Sequence, residues 1–151
     1  MRFRWSALVL VLTLGLMPRD GQAQSASSAQ KAPAGSMRQN YPNPFNPETR
    51  GVFTVGSPPA CPDGGKEHRA SVRIHNVIGQ LVAIPVLQGG SGSVAGGQPL
   101  ENVKLACGEY TWYWNGNYRN TSKEAASGVY AVVLEIDGRT VGRPIKMTIA
   151  K

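Results

Sequence analysis

The chain has 151 residues, a formal net charge of +7, 41% hydrophobic and 17% charged residues, 18 glycines, 11 prolines and two cysteines. That length holds one ordinary domain with a modest core once any targeting segment is set aside, and a second domain is not expected. The basic residues form no run and no helical stripe, so nucleic acid is not an expected partner; solubility, or mild attraction to an anionic cell surface, accounts for the charge.

Residues 1–23 read as a cleavable signal peptide: Arg2 and Arg4, an apolar run over residues 7–17, then the small-x-small signal Gly21-Gln22-Ala23. The run is short of the ~20 apolar residues a bilayer span requires, and nothing after it approaches that number, so no transmembrane helix is expected after cleavage. The protein is expected to be exported through the inner membrane to the periplasm, then to the cell surface or beyond. No cysteine lies near the cleavage site, which leaves lipid anchoring unsupported. Cleavage removes Arg2, Arg4, Arg19 and Asp20 and leaves 13 Lys and Arg against 8 Asp and Glu, a balance of +5.

Residues 24–38 lack apolar periodicity and read as a flexible leader that could not offset its ordering entropy by burial. In "QNYPNPFNP", residues 39–47, three prolines fix the backbone and the Asn-Pro pairs favour turns, which predicts a stiff, irregular segment. Tyr41 and Phe45 are expected to lie over the edge of the fold, held there by Pro42, Pro44 and Pro47.

From residue 50 onward the chain alternates apolar and polar side chains in short runs with no helical period. Strands are expected around Phe53 and Val55, Val72 and Ile74, residues 81–87, Val103 and Leu105, then Tyr110, Trp112 and Trp114, and Tyr130 to Ile136. Asp137-Gly138 is a two-residue hairpin signal leading into a last strand that turns Ile145, Met147 and Ile149 inward. Pro144 marks that strand as an edge or a bulge. Gly79 is expected to supply a turn, and Gly128 to let the chain pass closely before Tyr130 enters the core. Residues 56–68 and 89–99 are expected to be the long, mobile loops. About seven strands joined by Gly- and Pro-rich turns predict an all-β, immunoglobulin-like antiparallel β-sandwich over residues 39–151.

Cys61 and Cys107 are the candidates for one disulfide, since two cysteines in an exported chain most simply pair; neither has a histidine at zinc-ligand spacing. No catalytic, cofactor or metal site is expected. His68 and His75 accompany no nucleophile motif, Asp63 and Asp137 fall in predicted turns, and the glycines of residues 89–97 lack the Lys-Ser/Thr of a phosphate loop.

Five spaced motifs resemble the type A C-terminal sorting domain of type IX secretion, related in fold to the immunoglobulin-like domain of flagellar hook-capping proteins. They are "QNYPNPFNPET" (residues 39–49), with Asn40, Tyr41, Pro42, Asn43, Pro44, Phe45, Asn46 and Pro47; "IHNVIGQLV" (74–82), with Gly79 and Gln80; "WNG" (114–116), with Trp114 and Gly116; "SGVY" (127–130); and "KMTIAK" (146–151). Gly51, His75 and Asn115 depart from the family's usual apolar residue, Tyr and Asp. The resemblance implies a non-enzymatic sorting or cell-surface targeting module whose partners are the secretion machinery or outer-membrane and cell-surface components. It implies recognition through Lys146, Met147, Ile149 and Lys151, together with Ser127, Gly128, Val129 and Tyr130. Family domains trail a large cargo, and residues before Gln39 read as signal and leader. A second expectation is therefore a stand-alone extracellular binding or structural module, with Tyr113 and Tyr118 in an exposed aromatic patch for a glycan or protein.

Overall fold

The computed structural model describes residues 34–151 apart from 91 and 93; the expected signal peptide and the leader up to residue 33 lie outside the described residues. Among the described residues nine strands follow in chain order: β1 (Gly35–Met37), β2 (Thr49–Val55), β3 (His68–Asn76), β4 (Leu81–Ala83), β5 (Val86–Gln88), β6 (Val103–Leu105), β7 (Gly108–Trp114), β8 (Gly128–Ile136) and β9 (Arg139–Ile149). One antiparallel sheet runs β1-β2-β7-β5; the other runs β4-β3-β8-β9, with β6 also paired to β3. Among the described residues the only helical turn is a 3-10 turn at Tyr118–Asn120, and no helix is long and apolar enough to cross a membrane.

The alternation read from the sequence is what packs these sheets. Phe53, Val55, Tyr110, Trp112 and Trp114 from the first sheet meet Val72, Ile74, Val132, Leu134, Ile136, Met147 and Ile149 from the second in one buried cluster. Because side chains alternate along a strand, Thr111 and Tyr113 on the other face of β7 remain half-exposed. The arrangement is that of a two-layer β-sandwich.

The strand count exceeds the expected seven for two reasons. Residues 81–87 are not one strand: β4 pairs with β3, β5 pairs with β7, and the chain changes sheets at Ile84-Pro85. Pro85 has no N–H to continue a ladder, so the apolar run divides where it stands. β1, in turn, lies within residues 24–38, expected to be a flexible leader. It pairs with β2 from Gly35↔Val55 to Met37↔Phe53, so the domain begins before Gln39. A Cβ on Gly35 would run into the Thr54 carbonyl, and only glycine lets the backbone lie this close.

The turn and edge signals have direct counterparts. Asp137 and Gly138 both take positive φ, 51° and 75°, as a tight hairpin turn requires, and they join Ile136 to Arg139. β9 is an edge strand and also carries a bulge, since the register shifts between Val132↔Ile145 and Leu134↔Val141 around Pro144. Gly128 owes its place to its φ of 152°, not to close passage: a Cβ there would meet nothing within 4 Å.

Gly51 lies directly opposite Trp112, and a Cβ on it would sit 2.5 Å from Trp112 Cε2. The indole therefore occupies the space that a side chain at position 51 would fill. Gly51→Ala should lower the unfolding free energy by about 1–3 kcal/mol through overpacking. Urea unfolding would measure it, and an unchanged midpoint would refute the pairing of a large and an absent side chain.

Cys61 and Cys107 are disulfide-bonded, with Cα atoms 5.6 Å apart. The bond ties the β2–β3 loop to the corner between β6 and β7. His68, the first residue of β3, holds the same loop a second way: its Nδ1 lies 2.7 Å from Asp137 Oδ2 and its Nε2 lies 2.9 Å from Asp63 Oδ2. Asp137 Oδ1 also accepts from the Arg69 amide at 2.9 Å. The hydrogen bonds that His68 donates to Asp137 and then to Asp63 raise the imidazole's pKa above its ordinary 6.5, and the same bonds lower both carboxyls below 3.8. The histidine's contribution is complete below pH 6.5 and fades as pH rises through its elevated folded value; the carboxylates' contributions are present above pH 3.8 and fade below it. Thermal unfolding should therefore occur at a higher temperature near pH 5.5 than near pH 9. His68→Gln should flatten that difference; an equally steep profile in the variant would assign the effect elsewhere.

Candidate functional site

The two ends of the sandwich differ in chemistry. One carries the disulfide and the His68 clamp, a cluster that the sequence did not disclose because its two aspartates lie 74 positions apart. Only the Asp-Gly turn pointed towards it. Both imidazole nitrogens face carboxylates, so the cluster reads as a staple, and among the described residues no three His, Cys, Asp or Glu side chains are grouped to hold a metal ion.

The other end gathers all five motif segments. The β3–β8–β9 register aligns Asn76, Tyr130 and Met147, and one more pairing brings Phe45 beside Ile149. Phe45 packs edge-on against Trp114 at 5.6 Å, and Trp114 against Tyr130 at 5.8 Å, so three motifs meet in one aromatic row. Gly116 joins the first motif to the third: its φ is 80°, and a Cβ would strike the Pro47 carbonyl oxygen. Trp114 Nε1 donates to Asn117 O at 2.9 Å and fixes the loop that follows.

The Asn- and Pro-rich segment covers the β9 edge, and its residue types explain how. Phe45 N donates to Thr148 O at 2.9 Å, and Ala150 N donates to Phe45 O at 3.1 Å. Proline supplies no N–H at Pro42 or Pro44, and the Asn43 side-chain amide stands in, accepting from Thr148 N at 2.9 Å and donating to Lys146 O at 3.3 Å. Gln39 Nε2 donates to the same Lys146 oxygen at 2.9 Å. Beneath them buried Asn40 donates to Thr49 Oγ1 and Pro42 O, and Thr49 Oγ1 donates to Pro42 O, all at 2.9–3.0 Å. An edge strand that would otherwise template aggregation is thus closed from within the chain.

The expected site residues divide by exposure. Met147 and Ile149 are 0% and 1% exposed, so in the folded domain their side chains belong to the core, while Lys146 and Lys151 are exposed. In "SGVY", Tyr130 is buried with its hydroxyl on Ala126 O, Val129 is exposed, and Ser127 Oγ accepts from Lys151 N. Tyr41 does not join Phe45 over the core: it is 72% exposed, because the backbone bridge from Tyr41 to Arg50 turns its ring outward. Asn46, Pro42, Pro44 and Gln80 are exposed as well.

Beside this end lies an open cavity of about 320 Å³ lined by Asn76, Val82, Tyr118, Tyr130, Lys123, Glu124 and Lys151, among others; Lys151 Nζ donates to Glu124 Oε2 at 2.7 Å. Tyr113 is not part of it. It lines a separate cleft of about 70 Å³ with Pro85 and Asn115, and its hydroxyl donates to Glu48 Oε2 at 2.5 Å, which raises the phenol's pKa above 10. The expected Tyr113–Tyr118 patch is thus split between two cavities. No protein-family model, curated protein or solved structure matches the chain.

Proposed function

We propose that the domain is an immunoglobulin-like sorting or cell-surface targeting module of the type IX secretion kind, exported behind a signal peptide and without enzymatic activity. The observation that carries this reading is the convergence of all five motif segments on one end of the sandwich, where the first motif is hydrogen-bonded to the last. A partner reading this end meets a composite surface of Lys146, Lys151, Ser127, Val129 and the Asn-Pro segment. Met147 and Ile149 act by holding β9 in place. The disulfide fits an oxidising compartment.

The test is surface display of the full chain in a host possessing that pathway. Lys146→Ala with Lys151→Ala should reduce display severalfold while leaving the thermal unfolding midpoint near that of the wild type. Undiminished display of this folded variant would remove the proposal. Deleting residues 146–151 is uninformative, because it strips Met147 and Ile149 from the core. The 320 Å³ cavity favours a second reading, a stand-alone module binding a glycan or protein, and saturable binding by the purified chain without the pathway would support it.

A further inference from the structure

The end that gathers the motifs also presents apolar side chains to water. Val77 and Ile78, at the tip of the β3–β4 turn, are 78% and 73% exposed. The β3–β8 register ends at Asn76↔Tyr130, so the turn leaves β3 at the end of the sheet where β8 begins, and there Val129 is itself 40% exposed. Three exposed β-branched residues therefore stand at this one end of the sheet.

The turn that carries them is rigid. Asn76 Oδ1 accepts from Ile78 N at 3.2 Å and from Gln80 N at 2.9 Å, Asn76 Nδ2 donates to Gln80 Oε1 at 3.0 Å, and Gly79 takes a φ of 79°. Turn tips favour polar residues, and this one instead spends its polar groups on holding two aliphatic side chains outward. Such preorganisation reduces the ordering cost of any contact the tip makes.

Cations and a tyrosine flank the turn. Arg119 Nε donates to Leu81 O at 3.3 Å, directly after the turn, and its guanidinium lies 5.5 Å from the centre of the Tyr118 ring. Tyr118, 36% exposed, shares the 320 Å³ cavity with Asn76 and Lys123. Glu124 also lines that cavity, but its carboxylate is taken by Lys151. Among the described residues, neither Arg119 nor Lys123 has a carboxylate within ion-pair reach.

We propose that this end docks on an anionic lipid surface, with Val77, Ile78 and Val129 entering the headgroup boundary, Tyr118 at the interfacial level, and Arg119 and Lys123 on lipid phosphates. Aliphatic wedge, amphipathic ring and uncompensated cations are together the chemistry of a lipid interface. A protein partner is the poorer fit, because valine is under-represented among the anchors of protein interfaces. The proposal stands apart from the sorting reading and needs no secretion machinery.

Co-sedimentation of the full chain with vesicles tests it, each variant being compared in the same background so that all other segments contribute equally. One set is phosphatidylcholine; the other is phosphatidylcholine with an equal part of phosphatidylglycerol. The wild type should favour the anionic set. Val77→Ser with Ile78→Ser should lower its partition there about tenfold or more, and Lys123→Gln about fivefold on anionic vesicles only. Ile78→Gln alone gives the same direction should the double variant fold poorly. Undiminished binding by folded tip variants, equal binding to both vesicle sets, or a tip-dependent dimer that ignores vesicles would each overturn the proposal.

Discussion

Reducing the Cys61–Cys107 bond should lower the unfolding free energy of this domain by about 4 kcal/mol. The bond closes a loop 46 residues long, and in the chain-entropy account a loop of that length restricts the unfolded chain by about this amount. Small domains have only ~5–15 kcal/mol in total, so the loss is a large share of it. The structure offers little to compensate. Residues 56–67 put no side chain into the core cluster, and with the disulfide gone the His68 clamp on Asp63 becomes the main side-chain attachment of that loop. Urea unfolding with and without reductant, repeated on Cys61→Ala with Cys107→Ala, gives the number. A shift below ~1 kcal/mol in both would mean that the unfolded chain is already constrained near these positions. The effect also couples to pH. Once the bond is cut, the clamp should matter more, so the reduced protein should lose proportionately more stability between pH 5.5 and pH 9 than the oxidised one.

Alternation made most of the fold legible. The period of two along Tyr110, Trp112 and Trp114 and along Tyr130 to Ile136 fixes which side chains face inward, because a strand offers only two faces. The Asp-Gly turn and Pro144 marked a hairpin and an edge for reasons equally local. What the sequence hid was non-local. Pro85 divides a continuous apolar run between two sheets, and nothing in the run itself says that its halves have different partners. β1 forms because β2 offers Gly35 an opening that no residue near Gly35 reveals. At the candidate site, the motifs were visible as separate words, whereas their meeting at one end follows from the β3–β8–β9 register. The burial of Met147 and Ile149 was implicit in their inward phase, and it assigns their side chains to the core.

Phe45→Ala should have the other large effect, about 3–5 kcal/mol. Phe45 is 2% exposed and packs against Trp114, yet it comes from a segment outside both sheets. Within residues 41–47 it is the one buried side chain, since Tyr41 faces water and the prolines and asparagines around it are exposed. The ring is therefore the anchor that keeps the Asn43 and Phe45 hydrogen bonds on the β9 edge in register. Truncation opens a cavity at the end of the core and, because the neighbouring ring pair Trp114–Tyr130 spans 5.8 Å across the two sheets, loosens that pair as well. Tyr41→Ala is the matched control and should change stability by no more than ~0.5 kcal/mol. Phe45→Leu, which keeps most of the volume, should recover much of the loss and separate packing from the aromatic contact, itself worth ~0.5–1.5 kcal/mol. Amide exchange supplies the sharper readout: in Phe45→Ala the Thr148 and Ala150 amides, which bond to Asn43 and Phe45, should lose protection before those in the centre of β8. If they exchange together with the β8 core, the segment is not a separable latch, and the composite surface it forms with Lys146 and Lys151 cannot open without unfolding the domain.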